Sequence, residues 1–210
     1  MSASTRVETP TPTGLAWLDL SWPAGWPRSL LMLGHGAGGG VDAPDLVALT
    51  DRAVAAGALV GRVTQPYRVA GRRAPAPAGQ LDAAWVAVVE VGLALAAERG
   101  WTLPLIVGGR SSGARVACRT AVGLGAVGVV ALAFPTHPPG RPERSRVAEL
   151  RTELPTVVVN GDRDPFGLPP PLAGVTLAVR LGERHDLRRD PGGAADAALV
   201  WLADNDWVTP

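Results

Sequence analysis

Short apolar runs alternate with helix-patterned segments along almost the whole chain, and each run breaks off into glycines or charges. The runs are "SLLMLGHGAGGG" (29–40), "ALVGRVTQP" (58–66), "LPLIVGG" (103–109), "AVGVVALAFP" (126–135), "PTVVVNGDRD" (155–164) and "GVTLAVRLGERHDL" (174–187). Continuous apolar character, without alternation, suits strands covered on both faces, as in a parallel sheet flanked by helices. Helices are predicted over 44–56, closed by Gly57, over 80–99, stopped by Gly100, over 112–124, briefly near 146–152, and over 192–204. The predicted class is therefore α/β: a doubly wound, mostly parallel sheet with helices on both faces. "LAWLDLSW" (15–22) alternates and is predicted as an edge strand, while "YRVAGRRAPAPAG" (67–79) is too rich in proline for a regular element. Residues 1–14 are predicted to be a flexible N-terminus and 15–210 a single domain.

Composition narrows the chemistry. With 47% hydrophobic and 19% charged residues, the 210-residue chain can bury a substantial core. Its net charge of +1 gives no basis for expecting nucleic acid or an anionic membrane as partner. All 20 basic residues are arginine. Without lysine there is no Walker A phosphate loop, no Schiff base and no Ser–Lys dyad. The single cysteine, Cys118, excludes an internal disulfide or a cysteine-cluster metal site, and is predicted to be a small core residue. The polar start "MSASTRVETPTPTG" lacks the apolar core of a signal peptide. The apolar stretch 81–100 is interrupted by Asp82 and Glu90, as expected of a buried helix and not of a membrane span. A reducing cytoplasm is the expected location.

The densest cluster of chemistry is "GGRSSGARVA" (108–117), in which Gly109-Arg110-Ser111-Ser112-Gly113 fits G-x-S-x-G. A serine on a tight strand-to-helix turn has an unfavourable backbone conformation, and side chains in place of the two glycines would strike neighbouring elements. Strand before and helix after is the context that gives the motif meaning. Ser111 is thus the candidate nucleophile.

A hydroxyl needs a base, and in sites of this kind the acid and then the histidine follow the serine in the chain. His35 precedes Ser111 and His137 lies before the predicted acid strand, which leaves His185. Asp164, one turn beyond that strand, is the favoured acid; Asp162 is the fallback, its alternative role being to cap the turn. The oxyanion requires two backbone N–H donors. Ser112 at the helix start supplies one, and the "HGAGGG" loop supplies the other through Ala37, with Gly38 as alternative. His35 is expected to order that loop. His35, Gly38, Arg110 and His137 are also carried as residues that could touch substrate. No metal or cofactor is required.

"GHGAGG" (34–39) also fits the dinucleotide fingerprint G-x-G-x-x-G, which would make the chain an oxidoreductase. That reading wants an acidic residue at the end of the next strand to hold the ribose, and "LVGRVTQP" has none.

Taken together, "HGAGGG", "GGRSSGARVA", "LAFPTHPPGRPE", "NGDRDPFG" and "GERHDL" resemble the α/β-hydrolase superfamily from about residue 28 onward. More narrowly they resemble its small, capless, dienelactone-hydrolase-like branch of predicted hydrolases, which includes testis-expressed hydrolase-like proteins and a chromatin-complex subunit of animals. The resemblance implies a Ser–Asp–His triad on Ser111, Asp164 and His185 with oxyanion donors at Ala37 and Ser112. Dienelactone hydrolases themselves carry a cysteine nucleophile where this chain has Ser111, and some relatives serve as scaffolds. The expected function is hydrolysis of a small-molecule acyl substrate, with a non-catalytic binding protein as the alternative. Only about twenty residues separate "AFP" from "LPTVV", too few for a helical lid, so a shallow pocket and short acyl groups are expected. Arginine clusters at 68, 72 and 73 and at 141, 144 and 146 could attract an acidic substrate. No motif specifies an oligomeric state.

Overall fold

In the computed structural model, which describes residues 4–210, the apolar runs become the central strands of one eight-stranded sheet. The elements are β1 (Ser4–Thr11), β2 (Gly14–Ser21), β3 (Ser29–Gly34), α1 (Pro44–Ala55), β4 (Ala58–Thr64), α2 (Pro66–Val69), α3 (Ala78–Ala97), β5 (Leu105–Arg110), α4 (Ser112–Thr120), β6 (Gly128–Leu132), a 3-10 turn (Val147–Leu150), β7 (Thr156–Gly161), β8 (Val175–Arg180) and α5 (Pro191–Asp204). The strand order is β1-β2-β4-β3-β5-β6-β7-β8. From β4 to β8 neighbouring strands run parallel, while β2 is antiparallel to both β4 and β1.

Successive strand residues point to opposite faces, and the core divides accordingly. Leu30 and Met32 of β3, Val107 of β5 and Ala131 of β6 join Trp85, Val88 and Val89 of α3 and Val116 of α4 on one face. Leu31 and Leu33, Ile106, Val130 and Leu132 join Leu46 and Leu49 of α1 and Ala198 and Leu202 of α5 on the other. Each such Leu, Ile, Val or Met side chain removed from water contributes about 1.5–3 kcal/mol. α3 has the length and apolarity of a membrane-crossing helix, but it lies along the sheet with Leu81, Trp85, Val88 and Val89 buried. Met32 explains two glycines in its path: a β-carbon at Gly61 would sit 2.5 Å from its sulfur, and one at Gly92 3.2 Å.

Three sequence expectations need correction. The N-terminal segment is not flexible over 4–11; it is β1, paired residue by residue with β2. The first three of its residues lie outside those described. Its polarity is that of an edge strand: Val7 packs on the core, Thr9 is buried, and Arg6 makes a two-point contact with Asp19 at 2.6 and 2.9 Å while stacking over Trp17. Pro10 fits only because an edge strand can spare a donor. The strand expected at the edge over 15–22 is consequently interior: it is β2, Gly14–Ser21, paired with β1 on one side and β4 on the other. Finally, the proline-rich stretch is not wholly irregular: residues 67–69 belong to a short helix, α2, begun by Pro66 at a position where a missing N–H does no harm, and residues 78 and 79 open α3.

The connection from β6 to β7 contains one 3-10 turn and no helical cover. The parallel strands β3 to β8 share one carboxyl edge of the sheet, and that edge is where sites in such folds assemble.

Candidate active site

β5 runs out at Arg110 and α4 begins at Ser112, so the chain turns on one residue. Ser111 sits at φ 51, ψ −110, a left-handed conformation that costs a non-glycine residue on the order of 1–3 kcal/mol. Its N–H donates to the Leu132 carbonyl at 2.9 Å, and its carbonyl accepts from the N–H of Arg115 at 3.2 Å. The flanking glycines let the turn press against the end of β3. A β-carbon at Gly109 would sit 2.3 Å, and one at Gly113 2.2 Å, from the Gly34 carbonyl oxygen.

Asp164 lies in the turn after β7, its carboxylate fully buried. One oxygen, Oδ1, accepts the Phe166 N–H at 2.8 Å; the other, Oδ2, lies 2.8 Å from His185 Nδ1. That turn is tied to β6 by Asn160, whose Oδ1 accepts from the Phe134 N–H while Nδ2 donates to the Phe134 and Gly167 carbonyls. Asp162 faces elsewhere: its Oδ1 accepts the Gly182 N–H at 2.6 Å, so it ties the end of β7 to the segment after β8 instead of capping its own turn.

His185 stands in the loop between β8 and α5. Its Nε2 is 2.9 Å from Ser111 Oγ, and the Phe166 ring lies 4.2 Å from its own. With Nδ1–H donating to Asp164, Nε2 is free to accept the serine hydroxyl. The loop is shaped from within by Glu183, a buried carboxylate accepting the N–H groups of Arg189 (3.3 Å) and Asp190 (2.6 Å). Leu187, fully buried at φ 46, anchors it to the core. Serine, imidazole and carboxylate thus form one unbroken hydrogen-bonded line drawn from three separate loops.

A sequence model of the family described as "Alpha/beta hydrolase domain" matches residues 27–187, more than half of the chain. The chain belongs to the α/β-hydrolase family.

This α/β-hydrolase domain is similar to a lidless α/β serine hydrolase from Xanthomonas campestris (19% identity, TM-score 0.74, covering 100% of this chain and 97% of that one). It is also similar to a dienelactone hydrolase from Anabaena variabilis (16%, 0.76, 97% and 98%) and to an esterase from Pyrobaculum calidifontis (15%, 0.68, 98% and 84%). No curated protein matches the sequence.

Other residues of the α/β-hydrolase domain take roles that the sequence left open. The loop after β3 passes over the serine, since a β-carbon at Gly36 would come within 3.6 Å of Ser111 Cβ. Ala37 is half-buried there, and its carbonyl accepts from the Tyr67 hydroxyl at 2.9 Å. Burial raises the Tyr67 phenol above its usual range, which keeps it protonated and donating. Ser112 opens α4, its N–H at the positive end of the helix. Gly38 is exposed, with open space around it.

His35 does not face substrate: Nδ1 bonds the Gly36 carbonyl at 2.8 Å and Nε2 accepts the Gln65 N–H at 3.1 Å. Burial holds its ring below the ordinary imidazole range, so it orders the loop as a neutral group. Arg110 is tied to protein groups at two of its nitrogens; its Nε donates to Asp45 at 2.9 Å and its Nη2 to the His185 carbonyl at 2.6 Å. His137 bonds the Pro138 carbonyl at 2.9 Å and packs against Gly167 of the acid turn. Cys118 is buried, its thiol pushed up to about 12, and plays no part as a nucleophile.

Sequence reasoning missed Asn160, Glu183, Tyr67 and Asp45. A polar residue closing the run "TVVVN" was a usable signal for Asn160; nothing local marks the other three.

Proposed function

We propose that the protein is a serine hydrolase that cleaves a small ester or related acyl compound through an acyl-enzyme. The observation that carries this reading is His185, hydrogen-bonded at one nitrogen to Ser111 Oγ and at the other to the buried Asp164 carboxylate. In the first step His185 Nε2 takes the proton of Ser111 as Oγ attacks the carbonyl carbon. Backbone N–H groups of Ala37 and Ser112 receive the developing oxyanion. Protonated His185, held by Asp164, then gives its proton to the leaving oxygen. Water, activated by the same imidazole, releases the acid and frees Ser111. The uncovered β6–β7 connection supports short acyl groups, and acetate or butyrate esters should be cleaved faster than long-chain ones. With a single, buried cysteine and one apolar helix packed on the sheet, we place the enzyme in the cytoplasm, acting on a small molecule and not on nucleic acid or a membrane.

The rival, a non-catalytic binding protein of the same fold, draws on one feature. Two hollows nearby, of about 420 and 330 Å³, are lined by Thr13, Gln65, Tyr67 and Arg72 and by Asp42, Arg68, Arg110 and Arg188, and neither includes Ser111. Fluorophosphonate labelling followed by intact mass decides between them. Labelling at one site, lost in Ser111→Ala and in His185→Ala, supports the hydrolase. A folded wild type that takes up no label supports the binding protein.

A further inference from the structure

Nucleophile and base are 74 residues apart in the chain, yet one side chain joins their backbones. Arg110 immediately precedes Ser111. Its Nε donates to Asp45 Oδ2 at 2.9 Å, and its Nη2 donates to the carbonyl of His185 at 2.6 Å. The Asp45 carboxylate is wholly buried and the Arg110 side chain 13% exposed. Asp45 Oδ1 also accepts the N–H of Leu46 in the first turn of α1, so the carboxylate is itself fixed. A guanidinium is planar, and with Nε committed to Asp45 the direction of Nη2 is set. Among the described residues no other hydrogen bond reaches the His185 carbonyl. Asp164 and Phe166 act on the ring; the main chain that carries the ring is held by Arg110. The side chain also runs beneath the oxyanion loop, where a β-carbon at Gly36 would lie 3.1 Å from Nη1.

We infer that Arg110 is a positioning residue that locks the His185 loop to the nucleophile turn, with Asp45 as its fixed anchor. The inference rests on the serine-hydrolase reading above. An arginine held in this way has Nε and Nη2 already committed, and a buried carboxylate that would be left unpaired keeps it from swinging out. Base and nucleophile then keep their separation when the loop after β8 fluctuates.

The test compares the rate of fluorophosphonate labelling, and kcat and KM on p-nitrophenyl acetate, in four proteins. These are the wild type, Arg110→Gln/Asp45→Asn, Arg110→Lys and the distant core variant Leu202→Ala. The double variant removes both charges together and leaves no unpaired buried carboxylate. It is expected to label at least about tenfold more slowly, with kcat reduced and KM unchanged, because small misplacements of catalytic groups are expensive in rate. Arg110→Lys keeps the charge but loses the fork, and should label at an intermediate rate. Leu202→Ala should lower Tm while labelling at the wild-type rate, which separates positioning from general loss of stability. A folded double variant labelling like the wild type overturns the inference. If that variant fails to fold, Arg110→Lys at the wild-type rate overturns it equally. A wild type that does not label overturns the serine-hydrolase reading itself, and this inference with it.

Discussion

The nucleophile turn and the histidine loop meet where His185 Nε2 lies 2.9 Å from Ser111 Oγ, yet they are held in opposite ways. The turn is held by what is missing: Gly109 and Gly113 carry no side chains, and backbone packs on the backbone of Gly34. The histidine loop is held by what is added, polar side chains from within the loop and from distant parts of the chain. Glu183 bonds its backbone from within, Asp164 reaches it from the turn after β7, and Arg110 reaches it from β5. Steric fit makes the turn rigid and intolerant of substitution. Polar support makes the loop sensitive to the removal of single hydrogen bonds while leaving the core intact.

The largest effect should come from breaking the polar side. Asp164→Asn keeps the shape but reverses the hydrogen-bond demand on Nδ1, favouring the tautomer in which Nε2 carries the proton and cannot accept one from Ser111. A loss on the order of 10⁴-fold in kcat is expected, with little change in Tm, measured on p-nitrophenyl acetate alongside thermal unfolding. Breaking the steric side should do the reverse. Gly113→Ala places a methyl group 2.2 Å from the Gly34 carbonyl oxygen, where only backbone can yield. Unfolding in urea should show a loss of about 3 kcal/mol, and the protein that remains folded should be damaged in Tm before anything else.

The same contrast explains what could be read in the chain. The turn was legible because every residue it needs lies within five positions, and the strands on either side are uniformly apolar. His185 was legible by order, being the one histidine in the required place. Its supports were not: Asp45 lies 65 residues from Arg110, and Glu183 resembles any charged loop residue until it is seen to be buried. β1 was misread for a related reason. An edge strand shows one face to solvent and pairs on one side only, so its polar alternation mimics a flexible tail. The choice between Asp164 and Asp162 turned on direction, which spacing alone does not encode.

A smaller effect concerns the loop that carries Ala37, held by a neutral buried imidazole. His35 titrates below its ordinary value of 6.5 in the folded protein, chiefly because burial disfavours the charged ring. The unfolded chain therefore binds a proton near 6.5 that the folded protein refuses until a lower pH. The His35 contribution to stability is complete above 6.5 and is lost as pH falls below it. Tm measured from about pH 7.5 down to about pH 5 should fall more steeply in the wild type than in His35→Gln, whose stability starts lower but lacks this titration. Parallel slopes would mean that the ring does not remain neutral in the fold.

The smallest expected effect sharpens the comparison most, because it concerns two carboxylates two residues apart. Asp162 accepts one hydrogen bond, from the Gly182 N–H, at the exposed entry to the histidine loop. Asp162→Ala removes that acceptor where water can replace it, at a cost of about 0.5–1.5 kcal/mol. If polar support of this loop acts only through groups that touch His185 or its main chain, fluorophosphonate labelling of Asp162→Ala should match the wild type while Tm drops slightly. If the loop instead behaves as one cooperative unit, in which any lost hydrogen bond lets the ring drift, labelling should slow along with Tm. The labelling rate of this one variant therefore reports whether the histidine is held residue by residue or by the loop as a whole.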